Sequence, residues 1–170
     1  MADIARFDAD RNVLTAGGRP LVFHCHHYNL FLQRTVDEVL GPLAKSVHRQ
    51  AAAESARKLL AGLFEEEKVT GFEARLARAA FVFGTLGFGQ AELAGMSSHG
   101  GDVSLATSHY AIGWRSKFGA AKAPVCHFAV GFFQAAVAAS GGFEPERVIA
   151  DEHVCGAVVD GPCRLRVEVL

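Results

Sequence analysis

The end of the chain constrains the fold most. In residues 163–169, Cys163, Leu165, Val167 and Val169 alternate with Arg164, Arg166 and Glu168, the period-two pattern of a strand with one buried face. Residues 148–158 read as its partner, joined by a turn at Asp160-Gly161-Pro162, so the spacing predicts a terminal antiparallel hairpin. The apolar face of a hairpin needs another layer to cover it. Helical patterns supply that layer. Residues 29–40 fit a helix stopped by Gly41-Pro42, and roughly 43–66 a second. Thr70 and Glu73 form a capping-box pattern ahead of a third helix, whose stripe is Phe72, Leu76, Ala79, Ala80 and Phe83. Ser108 caps a short helix running through Lys117, and residues 125–139 form the most apolar helix, ended by Gly141-Gly142.

Further strands are expected in the lead-in up to Pro20, with Ala16-Gly17-Gly18 as its turn. Two more are expected in the segment punctuated by Gly84, Gly87 and Gly89, and in residues 102–108. No internal repeat or linker interrupts the pattern. The expectation is a single α+β domain over residues 1–170, with helices packed on an antiparallel sheet.

Half of the 170 residues are hydrophobic and 13 are Phe, which argues for a large apolar interior or pocket. With 17 basic against 18 acidic residues and a net charge of −1, no basic face is expected, and nucleic acid is an unfavourable partner. The opening residues Met1 to Arg6 lack the basic and apolar segments of a secretory signal. The apolar runs break before membrane-spanning length. The chain therefore reads as cytoplasmic, where four cysteines are free, catalytic or metal-bound rather than paired.

Three of those cysteines lie in the last 45 residues. The hairpin brings Cys155 and Cys163 together around its turn. Glu152 is three residues before Cys155, an odd spacing that a regular strand would send to opposite faces. Convergence requires a bulge or turn near His153-Val154, which Gly156 helps relieve. Cys126, at the start of the apolar helix, offers a fourth donor. Three thiolates and a carboxylate satisfy tetrahedral zinc and leave no open position, so such a site is structural. Buried or disulfide-linked cysteines are the alternative, since no Cys-x-x-Cys pair is present.

Residues 86–170 resemble the 4-vinyl reductase domain, a small-molecule-binding domain that also forms part of the sensor region of phenol- and toluene-responsive activators. The resemblance lies in Gly87-Phe88-Gly89-Gln90-Ala91-Glu92-Leu93, Pro124-Val125-Cys126 with Gly131, Glu152-His153-Val154-Cys155 and Gly161-Pro162-Cys163-Arg164-Leu165. It implies zinc held by Cys126, Glu152, Cys155 and Cys163, because phenol sensors use three Cys and one Glu in this order and spacing. Two departures are local. Family members often carry Gly-Asp where this chain has Asp160-Gly161, and the interval from Cys126 to Glu152 is longer here.

Two further clusters are candidates for ligand contact. His24, Cys25, His26 and His27 precede Tyr28. In a strand His24 and His26 share a face, and in an early-starting helix His24 and Tyr28 do. The run is either a second metal site, the polar end of a pocket, or a junction whose side chains cap backbone. Around the sole tryptophan, Tyr110 and Trp114 fall on one helix face beside His109. The resemblance implies a ligand hydroxyl held by a His and a Trp; His109 and Trp114 are of those types, with no equivalence of position drawn. His99 falls on an exposed loop.

No nucleophile elbow, phosphate loop or dinucleotide fingerprint is present. The leading reading is a stand-alone zinc-containing protein that binds an apolar or aromatic ligand through His24, His26, Tyr28, His109 and Trp114, as sensor or carrier. It acts as a homodimer and passes any signal to a separate partner protein. The alternatives are a tetrapyrrole-binding accessory factor or reductase-related enzyme of bacteriochlorophyll-type synthesis, and a metal-dependent enzyme using His24 to His27.

Overall fold

Residues 4–170 are described by a computed structural model; the start of the N-terminal reading, Met1 to Asp3, lies outside the described residues. The lead-in forms strands β1 (Arg6–Asp8), β2 (Val13–Ala16) and β3 (Arg19–Leu21), an antiparallel sheet of its own. Three helices follow, α1 (His26–Leu40), α2 (Ala44–Glu66) and α3 (Phe72–Thr85). Then come β4 (Gly89–Ser97), β5 (Gly100–Ser108), α4 (His109–Phe118), α5 (His127–Gly141), β6 (Val148–Val154) and β7 (Cys163–Val169). The second sheet has the order β4-β5-β7-β6 with every neighbouring pair antiparallel. The fold is α+β, with helices on antiparallel sheets.

Strand β7 behaves as its alternation requires. Cys163, Leu165 and Val167 are buried and the intervening Arg164, Arg166 and Glu168 are exposed. The layer above it is α5, whose residues Ala129 to Phe133 and Ala135 to Ala138 are all buried except the half-buried Gln134 between them. Helix α2 packs on the other side of α5 at very short range. A Cβ added to Gly131 would lie 2.2 Å from the Arg49 carbonyl oxygen, so glycine is what permits this approach. From α3, Phe83 reaches in and places its ring 5.1 Å from both Phe132 and Phe133. Removing so large a buried ring costs about 3–5 kcal/mol.

Local differences from the sequence pattern have identifiable causes. Helix α1 starts at His26, ahead of its apolar stripe, because the Cys25 sulfur caps it by accepting the Tyr28 N–H at 3.4 Å. The Thr70–Glu73 capping box does not form. Gly71, at φ 84°, holds the N-cap position of α3 with no side-chain cap. Gly84 and Gly87 belong to the end of α3 and its closing turn, where the Gly87 N–H donates to the Gly84 carbonyl, so the strand begins only at Gly89. Ser108 caps α4 as expected, accepting from the Ala111 N–H at 3.3 Å. No helix among the described residues is long and apolar enough to cross a membrane.

Candidate metal centre and ligand cavity

Two strands, the loop between them and a helix N-terminus converge at the turn end of the terminal hairpin. Glu152 comes from β6, Cys155 from the residue following β6, Cys163 from the start of β7 and Cys126 from the N-cap of α5. Their ligand atoms lie within 4.8 Å of one another and all four residues are buried. The odd Glu152–Cys155 spacing is resolved as the sequence requires. The β6–β7 register shifts between Glu152 and Val154, so one extra residue, His153, turns the chain and returns Cys155 to the face of Glu152.

The donor set fits a metal ion. The Cys126 and Cys163 sulfurs are 3.5 Å apart, close to the roughly 3.8 Å that two 2.3 Å zinc–sulfur bonds at a tetrahedral angle define. The Cys126 N–H donates to Glu152 Oε2 at 3.0 Å, and the Gly156 N–H donates to Cys163 Sγ at 3.1 Å. Ser108 Oγ lies 3.1 Å from Cys126 Sγ. These contacts orient the donors from behind. Glu152 Oε1, by contrast, is buried with no hydrogen-bond partner, a costly state that a cation relieves.

Electrostatics agree. Burial, then the nearby Cys155, pushes the Glu152 carboxyl up to about 8. Hydrogen bonds to Cys155 and Cys163 and burial raise the Cys126 thiol well above the usual thiol range. Hydrogen bonds from Cys126 and Cys163 hold Cys155 far below it. With Glu152 and Cys126 both raised, the cluster retains protons when no cation is bound. A divalent ion displaces those protons.

A cavity of about 780 Å³ lies against the aromatic face of α5. Phe88, Tyr110, Phe128 and Phe132 line it together with residues 19–24, His26 and His109. Phe88 and Phe128 stack at 4.0 Å. His26 and His109 meet with their Nδ1 atoms 3.2 Å apart. Tyr28 is not in the lining; it stacks on the His24 ring at 4.5 Å. Of the residues singled out from sequence, the fold thus gathers His24, His26 and His109 at one cavity, with Tyr28 behind His24.

Trp114 goes elsewhere. It packs edge-on against Phe118 at 5.1 Å and lines a separate cavity of about 770 Å³ with Arg34, Lys117, Val125 and His127. Tyr110 and Trp114 do share one stripe of α4, but that stripe straddles the boundary between the two cavities. His99 is exposed in the β4–β5 turn. The sequence reading did not single out Gln33, which is 3% exposed and donates through Nε2 to the Val125 carbonyl at 2.9 Å. Its signal was a polar residue three positions after Leu30 in an apolar stripe.

Neither a family model nor a curated protein sequence matches the chain. Solved structures do. The phenol-responsive sensory domain of the transcription activator PoxR, crystallised with phenol, matches with a TM-score of 0.83 at 17% identity, over 99% of this chain and 86% of that one. The chain has the fold of that sensory domain. A vinyl-4-reductase family protein from Methanocaldococcus jannaschii shares the fold at a TM-score of 0.56 and 15% identity, over 88% and 83% of the two chains. Trafficking protein particle complex subunit 3 from Naegleria fowleri, covalently bound to palmitic acid, matches at 0.55 and 9% identity, over 85% and 96%. Identities this low speak for architecture, not for ligand.

Proposed function

We propose that this protein binds a small apolar or aromatic molecule in the histidine-lined cavity, as a sensor or carrier, while a zinc ion on the Cys3Glu cluster holds the terminal hairpin in place. The observation that carries the reading is the lining of the 780 Å³ cavity. An aromatic lining with a few convergent polar groups is the usual composition of a ligand site. The sensory domain of the same fold was crystallised with phenol, which supports a small aromatic ligand here. His24, His26 and His109 orient the ligand's polar atom, and Tyr28 steadies His24. The cavity has room for a polycyclic molecule, which keeps a tetrapyrrole-type ligand as the second reading.

Zinc follows from the chemistry of the donors. Sulfur-rich, four-donor, fully buried sites close the coordination shell and serve structure. A second copy of the chain is the proposed macromolecular partner, because Val39, Leu43 and Val47 around the α1–α2 corner are 76%, 68% and 47% exposed. A separate protein would receive the signal.

The test is a thermal-shift panel of phenols, aromatic hydrocarbons and tetrapyrroles on zinc-loaded protein. At least one class should raise the melting temperature. His109→Ala should then weaken binding about tenfold with zinc content unchanged, whereas Trp114→Ala, in the other cavity, should leave it intact. A panel with no measurable shift refutes the reading.

A further inference from the structure

Outside the Cys3Glu cluster, two imidazoles from distant parts of the chain are held in contact. His26 opens α1 and His109 opens α4. Their rings cross at 84° with Nδ1 atoms 3.2 Å apart. Two imidazole nitrogens bound at about 2.0–2.1 Å to one tetrahedral ion lie about 3.3 Å from each other. The observed 3.2 Å is that of a hydrogen bond between the rings when one Nδ1 carries a proton, and it matches two ligands of one metal when neither does.

The surroundings are built around this pair. A Cβ on Gly113 would come within 2.5 Å of His26 Cε1 and 2.8 Å of its Nε2, and within 2.4 Å of Leu30 Cδ1. Gly113 lies inside α4, where glycine destabilises a helix, and its backbone does not require glycine. The space it leaves is taken by the His26 ring and Leu30. His109 has no other polar side-chain contact among the described residues, and its Nε2 is buried without a partner. Burial pushes His109 down to about 4 and also lowers His26, which favours the neutral form that a metal ligand requires.

We propose that His26 and His109 form a second metal site for a borderline divalent cation such as Cu²⁺, Ni²⁺ or Zn²⁺. Imidazole donors suit these ions. The site differs from the Cys3Glu cluster in being open. It borders the apolar cavity, and two protein donors leave positions for water or for an oxygen of a bound molecule. It stands on the histidine geometry alone, whichever ligand the cavity takes.

The experiment uses zinc-loaded protein carrying Cys25→Ser, so that the exposed thiol does not reduce copper and the helix cap is kept. One equivalent of Cu²⁺ should bind at micromolar or tighter affinity. Its electron paramagnetic resonance spectrum should show coupling to imidazole nitrogens. His26→Ala and His109→Ala should each weaken binding at least tenfold and remove part of that coupling, with zinc content unchanged. Gly113→Ala removes no donor, yet it should weaken binding by displacing the His26 ring. His24→Ala should stay within threefold. Absence of copper binding, undiminished binding by the His26→Ala/His109→Ala double variant, or loss confined to His24→Ala and His27→Ala would overturn the proposal; the last result would mean adventitious capture by an exposed histidine run.

Discussion

Replacing Cys163 by serine separates the contribution of the metal from that of packing. Cys163 is 1% exposed, and its sulfur accepts the Gly156 N–H at 3.1 Å. A serine hydroxyl is smaller but still accepts that hydrogen bond, so in metal-free protein the change should cost no more than about 1–2 kcal/mol. The metal-dependent part is larger. At a free zinc concentration a thousandfold above Kd, binding to the native state adds about 4.1 kcal/mol. A domain of this size gains about 2–4 °C per kcal/mol, so zinc should raise the wild-type melting temperature by about 8–16 °C over chelator-treated protein. Cys163→Ser should retain less than a quarter of that rise and should copurify with little zinc. Calorimetric scans with and without chelator, paired with elemental analysis, measure both quantities. An equal zinc-dependent rise in wild type and variant, or a wild type indifferent to the chelator, refutes the metal centre.

Other outcomes follow from single contacts. Because Glu152 sits at about 8 and Cys126 higher still, metal uptake must release protons, and apparent affinity should climb from pH 6 to pH 8, up to tenfold per unit for each proton displaced; competition titrations showing a flat profile would contradict this. Gly131→Ala forces a methyl to 2.2 Å from the Arg49 carbonyl and 2.9 Å from Ala52 Cβ, and overpacking of about 1–3 kcal/mol should lower the melting temperature by about 2–12 °C. Despite partial burial, which acts the other way, hydrogen bonding and charge from Arg49 hold Asp151 down to about 2. Its stabilising share is present above its ordinary value of 3.8 and is lost as pH falls through about 2. The side chain is 53% exposed, so Asp151→Asn should cost below about 1 kcal/mol at pH 7, and denaturant melts should show the difference vanish near pH 2.

Much of the candidate metal centre was legible because it depends on local rules. Alternation fixed the face of Cys163, and the odd Glu152–Cys155 spacing demanded the extra residue that appears at His153. Ser108 advertised its cap. What stayed hidden depends on packing between distant elements. The first turn of α1 is built from polar histidines, so an apolar stripe could not reveal it, and the cap comes from a cysteine. Trp114 and His109 share a short helix, but only the placement of α1 and residues 119–125 decides that they face different cavities. The His26–His109 contact spans 83 positions, and the glycine that makes room for it has no signature of its own.

The close seating of α2 on α5 also limits where the molecule can yield. With Gly131 against the Arg49 carbonyl, those two helices cannot slide without a backbone collision, and they form the stationary frame. Helix α1 has a different attachment. It carries His26 in the cavity lining, and seven residues later Gln33 grips the carbonyl next to Cys126. About 10 Å of one helix therefore joins the cavity lining to the peptide that leads into the candidate metal centre.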